Sequence, residues 1–186
     1  MNYSAIYFDD TVNGNGIRVS LFCSGCKRRC CPKCHNKKAW DFNYGNKFTE
    51  IEEDSILDYL SKPYVTGISI LGGEPMDNLD DGILINLVKN IKNKYPNKTI
   101  YVWSGYTYEE LILDENGKEF LKYIDMLRDG LYIDALKDVT QYLQGSSNQR
   151  YINVQESLKL GNTIEFNWKE GEDVWDNQEN VVYVEE

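Results

Sequence analysis

The sequence predicts an α/β protein, a parallel sheet with flanking helices, and three observations carry that prediction. Short β-branched and aromatic runs alternate with amphipathic helical stretches, and such alternation builds right-handed βαβ units around a parallel sheet. Two groups of chemistry-bearing residues, Cys26 to Cys34 and Gly72 to Glu74, each come directly after a predicted strand. Ligands of parallel sheets sit at strand carboxyl ends, so both groups belong on one edge. Finally, no internal repeat or linker divides the 186 residues, a length that suits one domain with a real core.

Ile17 to Cys23 reads as a strand running into the cysteine loop. From about Glu50 to Ser61 the apolar residues Ile51, Ile56, Leu57 and Leu60 fall at helical spacing. Val65 to Leu71 is an apolar strand stopped by Gly72-Gly73. Asp80 to Tyr95 is an amphipathic helix with Ile83, Leu84, Leu87, Val88 and Ile91 on one face, ended by Pro96. Thr99 to Trp103 is the next strand. Thr107 to Leu113 starts a helix whose first-turn Glu109 and Glu110 suit its dipole. Tyr123 to Leu127 reads as a further strand, closed by Asp129-Gly130. Beyond about Gly161 the periodicity fades, and an extended or mobile segment is expected. The division is therefore a core over residues 1–160 and an acidic C-terminal extension, 161–186, of the same single domain.

The net charge of −10 argues against nucleic-acid binding by phosphate neutralisation. From Ile164 to Glu186 eight acids stand against one base. No apolar run reaches the ~20 residues of a membrane span, and the first residues lack a basic then apolar signal pattern. A cytoplasmic protein is expected, where clustered cysteines are metal ligands rather than disulfides. Lys27, Arg28, Arg29, Lys33, Lys37 and Lys38 collect around the cysteines. They read as a solvated loop, or as a collar that steadies an anionic cluster and docks an acidic electron donor.

Four of the five cysteines, Cys26, Cys30, Cys31 and Cys34, lie within nine residues, and His35 follows. Zinc would use Cys23-x2-Cys26 and Cys31-x2-Cys34, but zinc ribbons separate such pairs by about 15–20 residues, and Cys23 shares the strand face of Val19 and Leu21, a core position. Haem attachment would use Cys31-Pro-Lys-Cys34-His35, leaving Cys26 and Cys30 without a role. An iron–sulfur cluster with three protein ligands uses Cys26, Cys34 and either Cys30 or Cys31. His35, the one histidine, is a ligand, a proton donor or a neighbour lining the pocket. Gly72-Gly73-Glu74-Pro75 is by itself a tight turn, but two glycines permit close approach of a ligand, and a fixed carboxylate beside exposed carbonyls can receive an ammonium group.

A three-cysteine loop after one strand and Gly-Gly-Glu-Pro after the next resemble the radical S-adenosylmethionine superfamily. Val12 to Arg18, Cys34-His-Asn36, Trp40-Asp-Phe42, Ser104-Gly-Tyr-Thr-Tyr-Glu-Glu-Leu111, Asp125 to Gly130 and Gly145-Ser-Ser-Asn-Gln-Arg150 are similar, in order, to the activating enzymes of anaerobic (class III) ribonucleotide reductase. The likeness covers about residues 1–155 and leaves the acidic tail outside. Three departures stand out: the cysteine loop is one residue longer, Leu71 replaces a small polar residue, and Asn15 replaces a proline.

The resemblance implies a partial (β/α) barrel. It implies a [4Fe–4S] cluster on Cys26, Cys34 and a middle cysteine. Cys31-x2-Cys34 keeps the spacing of the tight turn at the adenine pocket, which favours Cys31, with Cys30 the alternative. Gly72, Gly73 and Glu74 would receive the methionine amino group of S-adenosylmethionine. Lys33 and His35 would contact its adenine, mainly through backbone. An electron from a flavodoxin- or ferredoxin-like donor would then release a 5′-deoxyadenosyl radical, which takes hydrogen from a glycine Cα of the reductase large subunit. Such chemistry belongs to the cofactor and needs no catalytic triad. The alternatives are activation of another glycyl-radical enzyme, against which Gly145 to Arg150 argues, or a non-catalytic electron-transfer module.

Overall fold

The computed structural model describes residues 1–29, 31, 33–34, 36–138, 140–166, 168 and 181–182. Cys30 and His35 lie outside the described residues. The chain opens with β1 (Asn2–Asp10) and β2 (Ile17–Cys23), followed after the cysteine loop by the short β3 (Asn46–Lys47). Then come α1 (Glu50–Leu60), β4 (Val65–Gly72), α2 (Ile83–Lys94), β5 (Thr99–Trp103), α3 (Tyr108–Leu113), α4 (Glu115–Leu121) and β6 (Met126–Asp129). The last elements are β7 (Arg150–Asn153), α5 (Val154–Leu160), β8 (Glu165–Phe166) and β9 (Val181–Val182).

Among the described residues nine strands join one sheet in the order β3-β1-β2-β4-β5-β6-β7-β8-β9. The fold is mixed α/β, and the sheet is open, its edge strands β3 and β9 standing at opposite ends. The expectation of a parallel sheet holds for its centre: β2, β4, β5 and β6 run parallel. It is corrected at the flanks, where β1, β3, β7, β8 and β9 pair antiparallel. β1 leads directly into β2, while α5 lies between β7 and β8. Among the described residues no helix is long and apolar enough to cross a membrane.

Strand alternation divides the sheet into two unlike faces. Val19, Leu21, Cys23, Ile68, Ile70, Ile100, Val102 and Leu127 are fully buried and form one cluster with Ile56 and Leu60 of α1, Leu84, Leu87, Val88 and Ile91 of α2, Leu111 of α3 and Phe120 of α4. Cys23 is thus a core residue, as its strand position predicts. The alternate residues Arg18, Ser20, Ser69, Tyr101, Met126, Arg128 and Tyr151 face the other side. There Tyr101, Met126 and Tyr151 form a second cluster with Trp168. The segment after Gly161, expected only as extended or mobile, therefore supplies β8 and seats Trp168 edge-on against Tyr101, Tyr142 and Tyr151.

Thr49 and Thr107 each begin a helix with a capping box, closed by Glu52 and Glu110. α2 starts at Ile83 rather than Asp80, because Gly82 takes a left-handed φ of 71° and the Asp81 carboxylate accepts from the Ile83 amide. β6 begins three residues later than the sequence suggests. Asp125 is held in the preceding turn, its carboxylate accepting from Ile100 N and Lys92 Nζ.

Candidate active site

Cys23 and Gly72 are register partners at the carboxyl ends of β2 and β4, and the pairing continues past the strands. Gly73 N donates to Cys23 O at 2.8 Å and Glu74 N to Gly25 O at 2.7 Å. The returning chain closes the base of the cysteine loop: Gly25 N donates to Ala39 O at 2.8 Å and Cys26 N to Trp40 O at 3.2 Å. A Cβ on Gly73 would lie 2.4 Å from Gly25 O and 2.7 Å from Ala39 O, so only glycine allows three backbone segments to meet there. Gly72 takes φ +112°. Both motifs share one edge of the sheet, as the sequence predicts.

Above that junction lies an open cavity of about 740 Å³. Its lining includes Cys26, Cys31, Cys34, Lys33, Gly72, Gly73 and Glu74, so every described candidate residue meets in one place. Cys34 N donates to Cys31 O at 2.9 Å, closing the tight turn expected between those two cysteines. Among the described residues no group of three or more His, Cys, Asp or Glu gathers as the ligands of one metal ion. Thiols are the soft donors that iron–sulfur clusters take.

Glu74 is buried, and its carboxylate is already engaged. It accepts from Met76 N at 3.1 Å, Ser104 Oγ at 2.7 Å and Gly105 N at 2.7 Å. Burial pushes its carboxyl up to about 7 even though those three donors favour the charged form. Glu74 thus ties the glycine turn to the end of β5, and Ser104 N in turn donates to Arg128 O at the end of β6. Burial, with the charges of Glu74 and Asp77, also raises the Cys26 thiol.

Three of the six collar bases are paired. Lys27 pairs with Asp80 at 3.4 Å, Arg28 with Glu110 at 3.0 Å and Lys33 with Asp134 at 2.8 Å.

The far wall comes from residues to which the sequence alone assigns no role. Gln149 accepts at Oε1 from Gly145 N at 3.2 Å, Ser146 N at 3.1 Å and Arg128 Nη2, and donates to Gly130 O at 2.9 Å. Gly145 to Arg150 is thus a loop wound around one amide. Arg128 is buried in the cavity wall, and its Nε has no acceptor among the described residues. The motifs Asp125 to Gly130 and Gly145 to Arg150 are the signal that marks this wall.

A family profile described as a 4Fe-4S single cluster domain matches residues 12–152. Similar along 151 residues, at 39% identity, is the anaerobic ribonucleoside-triphosphate reductase-activating protein of Pasteurella multocida, with 80% of this chain and 95% of that protein covered. The protein of the same name from Escherichia coli K12 is 39% identical, with 80% and 96% covered. That of Enterobacteria phage T4 is 37% identical, with 81% and 92% covered. The chain belongs to the family of anaerobic ribonucleoside-triphosphate reductase-activating proteins. The 4Fe-4S profile spans the cysteine loop, the glycine turn and the Gln149 loop, and ends before α5. Apart from Ser4, Ala5 and Tyr7 of β1, the residues that line the cavity fall inside the matched span.

Proposed function

We propose that this chain is a cytoplasmic radical S-adenosylmethionine enzyme that activates anaerobic ribonucleoside-triphosphate reductase. The observation that carries the reading is the meeting of Cys26, Cys31 and Cys34 with Gly72-Gly73-Glu74 around one cavity at the carboxyl ends of parallel strands. The open sheet is read as the partial (β/α) barrel of that superfamily, with residues 1–160 as its core and 161–186 as an extension of the same domain.

Cys26, Cys31 and Cys34 would hold a [4Fe–4S] cluster, with Cys30 as the alternative middle ligand. Soft thiolates are the donors iron–sulfur clusters take, and three of them leave one iron for substrate. When bound, the cluster supplies the electron that splits the sulfonium of S-adenosylmethionine into methionine and a 5′-deoxyadenosyl radical, which takes a hydrogen atom from a reductase glycine and leaves as 5′-deoxyadenosine.

The protein's part is binding and exclusion. The Gly72 and Gly73 backbone, with Glu74 behind it, would receive the methionine ammonium. Since Glu74 already accepts three hydrogen bonds, it acts as much by fixing the turn as by direct contact. Arg128, with an N–H that lacks an acceptor among the described residues, suits the methionine carboxylate. Lys33 and His35 would border the adenine. Arg29, Lys37 and Lys38 remain as the collar cations that would meet a flavodoxin- or ferredoxin-like donor.

The test is anaerobic. The protein is reconstituted with iron and sulfide, reduced, mixed with S-adenosylmethionine and assayed for 5′-deoxyadenosine, alone and with the reductase. Product is expected from wild type and from Cys30→Ala but not from Cys31→Ala. Loss in Cys30→Ala instead would make Cys30 the middle ligand. A well-formed reduced cluster that yields no product in either setting would sink the reading in favour of an electron-transfer module.

A further inference from the structure

We infer that Asp77 and Tyr106 are positioning residues for the first cluster ligand: together they fix the peptide that follows Cys26. The inference rests on the reading of Cys26 as a ligand.

Cys26 N is held by Trp40 O, but the next peptide leaves the base of the loop, and no strand accepts its N–H. That N–H, on Lys27, donates to Asp77 Oδ2 at 2.5 Å. The other oxygen of the same carboxylate accepts from Tyr106 Oη at 2.9 Å. Asp77 is 6% exposed and sits in the one-turn helix Pro75–Asn78 that Glu74 caps. Its place is therefore set by the glycine turn. Tyr106 follows Ser104-Gly105, the pair bonded to Glu74, so its place is set by the end of β5.

The next residue is held as well. The Arg28 guanidinium lies 3.8 Å over the Tyr106 ring and donates to both oxygens of Glu110 at 3.0 Å. Glu110 is itself fixed, accepting from Thr107 N at 2.7 Å as the capping-box residue of α3. The two residues after Cys26 are thus gripped by groups from two other strand ends.

A buried carboxylate is an expensive way to stabilise a fold. Asp77 makes no ion pair among the described residues; its bonds go to one amide and one phenol. Both serve orientation. Groups bonded behind a metal ligand typically govern how well that ligand holds its metal. The carboxylate in this chain reaches the ligand through the backbone rather than through the sulfur.

The test compares Asp77→Ala, Asp77→Asn and Tyr106→Phe with wild type. Amide hydrogen exchange is followed over residues 24–29 in the metal-free protein, and iron loss to a chelator after reconstitution. Asp77→Ala should lose exchange protection at Lys27 and release iron about tenfold faster. Asn keeps an oxygen for the Lys27 N–H and offers an N–H to the tyrosine hydroxyl, so Asp77→Asn should stay within about twofold of wild type. Tyr106→Phe keeps the ring beneath Arg28 and should fall between the two. Should Asp77→Ala fail to melt cooperatively, Tyr106→Phe carries the same comparison.

Equal exchange and equal iron loss in wild type and the severed variant overturn the inference. So does Asp77→Asn behaving like Asp77→Ala, because charge rather than acceptor geometry would then be the cause. A wild-type protein that takes up no iron and sulfide refutes the cluster reading instead.

Discussion

Arg18 and Arg128 lie on the same helix-free face of the sheet, one at the amino ends of the parallel strands and the other near their carboxyl ends, and both are buried. Their surroundings differ. Arg18 donates from Nε to Ser69 Oγ at 2.8 Å, from Nη1 to Thr99 Oγ1 at 2.9 Å, and from Nη2 to Ile68 O at 2.8 Å and Thr99 O at 2.9 Å. Its guanidinium also stacks 3.7 Å over Tyr101. Arg128 donates from Nη2 to Gln149 and lies beside the Tyr151 hydroxyl, its Nε has no acceptor among the described residues, and burial lowers its pKa to about 10. A buried arginine of β2 with its donors met by β4 and β5 ties strands together. One with a donor left over beside a cavity is placed to receive something from outside. One end of the sheet is built to be closed, the other to be filled.

If that contrast is right, substitutions at the two ends fail differently. The largest loss of stability is expected from Arg18→Leu. Removing the guanidinium takes a donor from the buried Ile68 carbonyl and the half-buried Thr99 carbonyl, at a cost of about 3 kcal/mol or more, measured by urea denaturation of the metal-free protein. A cost below about 1 kcal/mol would break the comparison. Gly73→Ala comes next, since it tests whether the open end has a rigid floor. Its Cβ would sit 2.4 Å from Gly25 O, a backbone atom that cannot swing aside. A loss of about 1–3 kcal/mol is expected, together with reduced iron uptake because the cysteine loop is displaced. Arg128→Lys follows. It should weaken S-adenosylmethionine binding about tenfold, or about 1.4 kcal/mol, with little change in melting temperature. A collapse in stability without a change in affinity would make Arg128 a second Arg18.

The same division explains what could be read from the sequence. The strand Ile17–Cys23 and the helix Glu50–Leu60 lie where their residues predict, because β-branched runs and helical spacing are local signals. β1 carried no such signal: its residues are mostly half-buried or exposed, so no clean alternation marks Asn2–Asp10. β7 and β8 are short and owe their pairing to β6 and to Arg150, which no local pattern announces. Within the site, the cysteines and the glycine turn were legible because each is a compact motif. Arg128, Gln149 and Ser104 were not, since their roles depend on which strand ends the topology brings together. The pairing of the collar was hidden for a related reason: the sequence shows the bases, while Asp80, Glu110 and Asp134, which pair with three of them, arrive from distant elements.

A third arginine gives the smallest and most discriminating effect. Arg150 lies on β7 near the same end as Arg128, but it resembles Arg18 in being fully engaged. It bonds Asp129 at 2.5 Å and Glu109 at 2.7 Å, and Thr163 adds a bond to Glu109 at 2.7 Å. Burial works to raise the Glu109 carboxyl, but the bonds from Arg150 and Thr163 prevail and hold it down at about 2, against an ordinary 4.5. The folded state therefore binds this proton more weakly than the unfolded chain. The stabilisation is complete above about 4.5 and is lost as pH falls towards 2. Glu109 is half-exposed, so solvent screening keeps the effect under about 1 kcal/mol. Denaturation of wild type and Glu109→Gln between about pH 6 and pH 3 should show a difference that is largest at the upper end and shrinks towards the lower. Because Arg150 is spent on structure, S-adenosylmethionine affinity at neutral pH should be the same in both proteins. An affinity loss in Glu109→Gln comparable to that of Arg128→Lys would mean that the closed and open parts of this face are coupled, and that full pairing does not separate a structural arginine from a binding one.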